Sequence, residues 1–83
     1  MSEHYRDLTK KEKEVLNVIV NNIEGLKNEE LAKKLNITRA TFCAHLMNIY
    51  YKTYTNSQIE LIIRYYKERI DANNRNNWAL RNN

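Results

Sequence analysis

Hydrophobic positions recur at helical spacing in four segments of the chain, and short polar stretches separate these segments. The first segment places four apolar residues on one side of a helix: Val15, Leu16, Ile19 and Ile23. Its start, TKKE, is a capping box in which Thr9 and Glu12 each accept a backbone N–H from the other. Gly25 can adopt a left-handed backbone and is predicted to end this first helix.

A second, short helix is predicted over residues 29–35 and a third, longer helix over residues 39–51. Asn28 is the predicted cap of the second helix, because its side chain can accept a backbone N–H of the first turn. Two helices joined by a short turn, the first brief and the second longer, form a helix-turn-helix.

The start of the third helix is well specified. Asn36, in the turn, tolerates a left-handed backbone better than most residues. Thr38 is the predicted cap, and Ile37 and Phe42 then occupy the two positions of a hydrophobic staple. The chain is therefore expected to enter this helix at a fixed angle.

A fourth helix is predicted over residues 57–70, after the capping sequence TNSQ, in which Gln58 has the reciprocal role. Its main apolar stripe is expected to face the core and contains Ile59, Ile62, Ile63, Tyr66 and Ile70. Leu61 and Tyr65 lie on a second side. A helix that is apolar on two sides is either deeply buried or dimeric, and a two-fold dimer through Leu61 and Tyr65 is the favoured interpretation.

Composition favours an all-α fold. The 83 residues include one glycine and no proline, which strands and tight hairpins commonly need. The domain is expected to cover residues 1–70. The asparagine-rich stretch ANNRNNWALRNN has low helix propensity, so residues 71–83 are predicted to form a flexible or short helical tail.

The location of the protein is predicted from what the sequence lacks. A single cysteine excludes an internal disulfide, which suits a reducing compartment. No apolar run is long enough to span a bilayer, and the start MSEHYRDLTKK has no signal-peptide apolar region. A cytoplasmic protein that does not contact membranes is therefore expected.

Charge is distributed unevenly along the chain. The formal net charge is +4, yet no Asp or Glu occurs between Leu31 and Ile59. Four cations fall in that interval: Lys33, Lys34, Arg39 and Lys52. An acid-free, lightly basic segment is typical of a surface that faces a polyanion, although a solvated basic face without a partner fits equally well.

The third helix has two distinct faces. Stepping 100° per residue from Phe42 places His45, Leu46 and Ile49 on the same, inner side. The opposite side contains Ala40, Ala44, Met47 and Tyr51, with Cys43 and Asn48 along its edges. These six residues are predicted to face DNA bases, because small side chains let a helix lie deep in the major groove and apolar ones contact thymine methyls.

Phosphate contacts are predicted for polar residues around that face: Lys33, Lys34, Thr38, Arg39, Thr41 and Lys52. The outward side has no Arg, Lys or Gln placed for direct base recognition, so modest sequence specificity is expected. An alternative remains open, because an exposed Met, Tyr and Cys surface is also typical of a protein interface.

Catalytic and metal-binding chemistry are not predicted. Cys43 and His45 are two residues apart on a helix, so their side chains diverge and cannot share a metal ion. The sequence has no phosphate-binding loop, nucleophile motif or paired-carboxylate site. A non-enzyme without cofactor or metal is expected.

Residues 8–62 resemble the LuxR/GerE-type helix-turn-helix domain of bacterial transcription regulators. The family pattern, LTxREREVLxLI followed by NKEIAxxLxIsxxTVKxHxxxIxxKL, is matched here by LTKKEKEVLNVI and NEELAKKLNITRATFCAHLMNIYYKT. The resemblance implies a four-helix domain that binds DNA through its third helix, usually as a dimer that uses the fourth. Asn28, Thr41, His45 and Lys52 match the family, which adds Asn28 and His45 to the predicted phosphate contacts.

Several positions depart from the family pattern. The loop VNNIEG is about three residues longer than usual, Phe42 replaces a valine, and Thr53 stands where a core leucine is common. Cys43, Ala44 and Met47 occupy positions where polar or basic groups commonly contact bases. The stretch IEGLKNEELA also resembles region 4 of sigma factors, but the chain has no room for a polymerase-binding region.

The function expected from the sequence is a DNA-binding transcription regulator of bacterial or phage type, without a sensor domain. It is expected to bind double-stranded DNA as a homodimer. The alternative is an adaptor that uses the same fold to bind RNA polymerase or another regulatory protein.

Overall fold

The computed structural model describes the backbone of residues 7–81 and the side chains of residues 7–71. Over that part of the chain the backbone forms helices and no strand, which confirms the all-α prediction. The helices are α1 (Lys10–Val20), α2 (Asn28–Lys34), α3 (Arg39–Thr53) and α4 (Gln58–Arg81). None of them is both long enough and apolar enough to cross a membrane in the part of the chain described.

Two of the predicted helix caps are present. The Glu12 backbone N–H donates to the Thr9 hydroxyl at 3.1 Å, and the Thr9 N–H donates to Glu12 Oε1 at 3.0 Å. At the start of α3, the Thr41 N–H donates to Thr38 Oγ1 at 3.1 Å. Asn36 has a φ of 59°, so the predicted left-handed turn between α2 and α3 is also confirmed.

The caps of α2 and α4 differ from the prediction. Lys27, not Asn28, precedes α2, and its backbone N–H donates to Glu30 Oε1 at 3.0 Å. At α4 the Ser57 hydroxyl accepts from the Glu60 N–H at 3.1 Å. The predicted cap was Thr55, the first residue of TNSQ, but its hydroxyl is buried and lies 3.0 Å from the Thr53 hydroxyl. The predicted cap therefore lies two residues too early.

The first helix ends at Val20, before Gly25. Asn22 closes the following loop, because its side chain both donates to the carbonyl of Leu26 and accepts from the N–H of Leu26, each at 2.9 Å. Gly25 has a φ of 71°, but inside this loop. Ile23 is 95% exposed, so its predicted place on the inner face of α1 is wrong.

The core lies between α1, α2, α3 and the first turns of α4. Its buried residues are Leu8, Val15, Leu16, Ile19, Val20, Leu31, Ala32, Phe42, Leu46, Ile49 and Leu61. Phe42 is fully buried and Ile37 packs against the core, as the predicted staple requires. Burial of Phe42, Leu46 and Ile49 fixes the rotation of α3 and directs its opposite side outward.

The side of α4 that meets the core agrees with the prediction at Ile62 but differs from it at most other positions. Leu61 is fully buried, and Ile62 and Tyr65 pack against the core. Four residues of the predicted inner stripe are exposed instead: Ile59, Ile63, Tyr66 and Ile70. Burial of Leu61 inside the domain argues against the predicted dimer contact through this residue. Helical spacing alone does not reveal which apolar side of a helix meets the rest of the domain.

Helix α4 continues beyond residue 70 and through the asparagine-rich stretch to Arg81. Once a helix has formed, each residue added to its end gains one backbone hydrogen bond without the cost of starting a new helix. This gain offsets the weak helix propensity of the asparagine-rich stretch. The side chains of residues 72–83 lie outside the described part, so a domain boundary at residue 70 stays a prediction.

Candidate nucleic-acid interface

The outer face of α3 is built from five exposed residues: Ala40, Ala44, Met47, Asn48 and Tyr51. Cys43, at its edge, is half-buried. The structure thus presents together the six residues predicted to face DNA bases. The only amide among them is that of Asn48, and none of the six is charged.

Lys52 does not belong to this face. Its Nζ lies 2.8 Å from Glu12 Oε1 and also donates to the backbone carbonyl of Asp7 at 3.2 Å. The Glu12 side chain is 4% exposed, so the pair is nearly withdrawn from water on the carboxylate side. The charge of Lys52 neutralises a buried carboxylate and joins α3 to α1, which favours a structural role for Lys52 over the predicted phosphate contact.

The electrostatics of Glu12 reflect this contact. Burial alone would raise the pKa of its carboxyl group. Hydrogen bonds from Lys52 and from the Thr9 N–H, together with the positive charges of Lys52 and His45, outweigh burial and hold the pKa below its usual value of 4.5. Glu12 is thus ionised over the physiological pH range.

His45 is half-buried and near enough to Glu12 for its charge to act on that carboxylate. It therefore lies toward α1, on the inner side of α3 predicted by helical spacing. This position favours a structural role for His45 over the predicted phosphate contact.

Three cations remain exposed beside the turn: Lys33, Lys34 and Arg39. Lys34 Nζ lies 3.6 Å from Glu24 Oε1, but both side chains are more than half exposed. Such surface pairs are weak, so Lys34 can exchange this partner for a phosphate. Arg39 is the first residue of α3 and lies beside the turn that joins α2 to α3.

The predicted polar contacts Thr38 and Thr41 are exposed and bonded to each other, with Thr38 Oγ1 donating to Thr41 Oγ1 at 2.9 Å. Asn28 is half-buried, and its side-chain oxygen accepts from Gln58 Nε2 at 2.5 Å. That bond ties α2 to the start of α4. The Asn28 side chain therefore joins two helices and does not cap α2.

The C-terminal end of α3 carries an exposed surface that extends the predicted Met and Tyr side chains by one residue, Tyr54. Tyr54 ends the helix with a φ of 58°, an unusual backbone for a bulky residue. Tyr54 is 70% exposed, Tyr51 84% and Met47 64%, and we call these three residues the tyrosine patch. They line an open depression together with the half-buried Tyr50, whose pKa is raised by burial and, to a smaller extent, by Cys43.

The comparisons with known proteins agree with this geometry. The family model of the bacterial regulatory proteins of the luxR family (GerE) matches residues 6–65, which include α1, α2, α3 and the start of α4. A comparison with curated proteins finds no match. The match covers well over half of the chain and includes the whole helix-turn-helix. The chain therefore belongs to the luxR family of bacterial regulatory proteins, which are helix-turn-helix regulators that bind DNA.

Proposed function

We propose that this protein regulates transcription as a homodimer that places α3 of each protomer in the major groove of DNA. The observation that supports this most is the outer face of α3, which is exposed, uncharged and narrow at its N-terminal end. Ala40 and Ala44 lie one turn apart there. Their small side chains allow the helix axis to approach the base edges closely.

The exposed cations are placed to orient that helix on the DNA. Lys33 and Lys34 lie in the last turn of α2, and Arg39 begins α3. The hydroxyls of Thr38 and Thr41 lie at the same end and can bond phosphate oxygens. Phosphate contacts of this kind set register and affinity, whereas the outer face of α3 faces the bases.

The exposed stripe of α4 supplies the surface for dimerisation. Ile59, Ile63, Tyr66 and Ile70 follow each other at spacings of four, three and four residues. That is the spacing with which two helices pack side by side. A second copy of the chain would cover the three isoleucines and the exposed part of Tyr66, in place of the predicted contact through Leu61 and Tyr65. The Tyr66 hydroxyl itself donates to the Val20 carbonyl of its own chain at 2.8 Å.

A two-fold dimer also makes a geometric prediction about the DNA. The two copies of α3 would contact half-sites about 34–36 Å apart, which is one turn of the duplex. A binding site with inverted half-sites at that spacing is therefore expected.

The test is fluorescence anisotropy of a labelled duplex, repeated over a range of salt concentrations. Wild-type binding should weaken steeply as salt rises, because bound phosphates release counterions. Replacing one phosphate-contacting cation, as in Arg39→Gln or Lys33→Gln, should reduce the slope of log K against log[salt] by about one. The control, Lys13→Gln, removes the same charge from an exposed position on α1 and should leave the slope almost unchanged. No binding at low salt would contradict the proposal.

A second candidate function is suggested by the tyrosine patch. Exposed Tyr and Met side chains around a depression are typical of protein interfaces, and none of the three residues is charged. In that case the protein would act as an adaptor for RNA polymerase or another regulator. Binding of a protein partner that depends on Tyr51 and Tyr54 but not on Arg39 or Lys33 would favour the adaptor function.

A further inference from the structure

We propose that the outer face of α3 recognises thymine methyl groups, so that the protein selects A·T-rich sites. The inference rests on the proposed function, since it requires α3 to lie in the major groove. It concerns three apolar residues, Ala40, Ala44 and Met47, which we call the apolar row.

The outer face of α3 lacks the side chains that most often recognise guanine. Guanine is recognised most often by Arg or Lys, which donate to its O6 and N7 atoms. Between Ala40 and Tyr51 the only residue that can become positively charged is His45, and it lies on the inner side near Glu12. Lys52, the next cation along the helix, is bound to Glu12 at 2.8 Å. The middle of the outer face of α3 therefore has no Arg or Lys placed to recognise guanine.

The apolar row offers side chains that can pack against thymine methyl groups. Ala40, Ala44 and Met47 are spaced four and three residues apart and lie in line along the exposed side of α3. Met47 is 64% exposed, so its side chain would lose water on contact with another apolar group. The C5 methyl of thymine is the apolar group that base pairs present in the major groove. Met is also flexible enough to adapt to the exact position of that methyl.

Asn48 supplies the single amide on the outer face of α3. Asn48 is exposed and lies beside Met47. Asparagine is suited to adenine, because its amide can donate to N7 and accept from the N6 amino group. Adenine is the partner of thymine, so the polar and the apolar groups of α3 favour the same base pair.

The charge around the apolar row favours DNA over a protein as its partner. Arg39 adjoins the row at its N-terminal end, and Lys33 and Lys34 lie just across the turn in α2. The row has no acidic neighbour between Leu31 and Ile59. An apolar strip bordered by cations is complementary to a methyl-lined groove bordered by phosphates.

The experiment compares duplexes that differ only in this methyl group. A site is first selected from a pool of random duplexes and then synthesised with thymine or with uracil, which pairs identically but lacks the C5 methyl. Wild-type affinity should fall roughly fourfold for each contacted methyl that is removed. The variant Met47→Ser should bind less tightly to the thymine duplex and discriminate less between the two duplexes. Lys13→Gln should keep the full difference.

The outcomes separate this inference from the proposed function. Salt-dependent binding that is equally tight to thymine and uracil duplexes would overturn the methyl inference and leave the proposed function standing. Selection of G·C-rich sites from the random pool would likewise overturn the methyl inference and leave the proposed function standing. Absence of binding to either duplex at low salt would overturn both.

Discussion

The ammonium group of Lys52 lies 2.8 Å from the Glu12 carboxylate and joins the last turn of α3 to the first turn of α1. Glu12 also accepts the backbone N–H of Thr9, so one buried side chain caps α1 and holds α3 in place. A residue predicted to bind DNA is thus part of the scaffold that orients the DNA-binding helix.

Replacing Lys52 should destabilise the fold strongly. Lys52→Met keeps much of the aliphatic chain but leaves the Glu12 carboxylate buried without its cation. Loss of one partner of a buried pair typically costs 3–5 kcal/mol, and because Lys52 is 29% exposed we expect a cost of about 2–3 kcal/mol. Urea unfolding followed by circular dichroism measures the change.

The matched control for this variant is Lys11→Met. Lys11 pairs with Glu14 at 3.2 Å, but both side chains are at least 40% exposed. Removing such a surface pair should change stability by no more than about 0.5 kcal/mol. Equal losses in the two variants would show that the Lys52–Glu12 pair has no special structural importance.

Stability should depend on pH through Glu12. Its pKa is lower in the folded protein than in the unfolded chain, so its ionised form stabilises the fold above the unfolded value near 4.5. This contribution should be lost as pH falls below 4.5 and through the folded pKa. When the pH is lowered through that window, the variant Glu12→Gln should lose less stability than the wild type does, as measured by thermal unfolding. A parallel decline in the two proteins would argue against Glu12 as the source.

A pair of buried hydroxyls, those of Thr53 and Thr55, lies at the C-terminal end of α3. Thr53 Oγ1 donates to the Ile49 carbonyl at 2.7 Å and lies 3.0 Å from Thr55 Oγ1. Because a hydroxyl has one proton, Thr55 must be the donor between them. Thr53→Val therefore leaves a buried donor without its acceptor, which should cost about 1–3 kcal/mol.

The second substitution at this pair should recover part of that loss. Removing both hydroxyls, as in Thr53→Val with Thr55→Val, leaves no buried donor unsatisfied. The double variant should thus be more stable than Thr53→Val alone in urea unfolding. Strictly additive losses would mean that the two hydroxyls do not depend on each other.

The exposed stripe of α4 predicts the oligomeric state. Ile63 is 61% exposed, so Ile63→Lys should leave the fold intact but place a charge in the proposed dimer contact. Sedimentation velocity should then detect a monomer that binds DNA more weakly. Ile23→Lys makes the same change at a 95% exposed position in the loop after α1 and should remain dimeric. A dimer that persists in Ile63→Lys would place the contact elsewhere.

The sequence predicted the elements whose signals are local. The capping boxes and staples depend on residues three to five positions apart, and the caps at Thr9 and Thr38 are present. The inner and outer faces of α3 were also predictable, because Phe42, Leu46 and Ile49 form a single apolar stripe. A strong signal confined to one helix needs no knowledge of its neighbours.

Features that depend on distant residues were not predictable. Lys52 and Glu12 are 40 positions apart, and nothing in the pattern of either helix indicates that they meet. The prediction of which side of α4 faces the core failed for a related reason. This helix has two apolar sides, and only its packing against the rest of the domain decides which one is buried. Tyr54 was missed because a left-handed backbone at tyrosine has no sequence signature.

The most direct test of the central claim is an NMR titration of isotope-labelled wild-type protein with duplex DNA. Binding through the helix-turn-helix predicts the largest amide shift changes at Lys33, Lys34 and residues 38–48. Changes confined to the exposed stripe of α4 or to residues 50–56, or no changes at low salt, would contradict it.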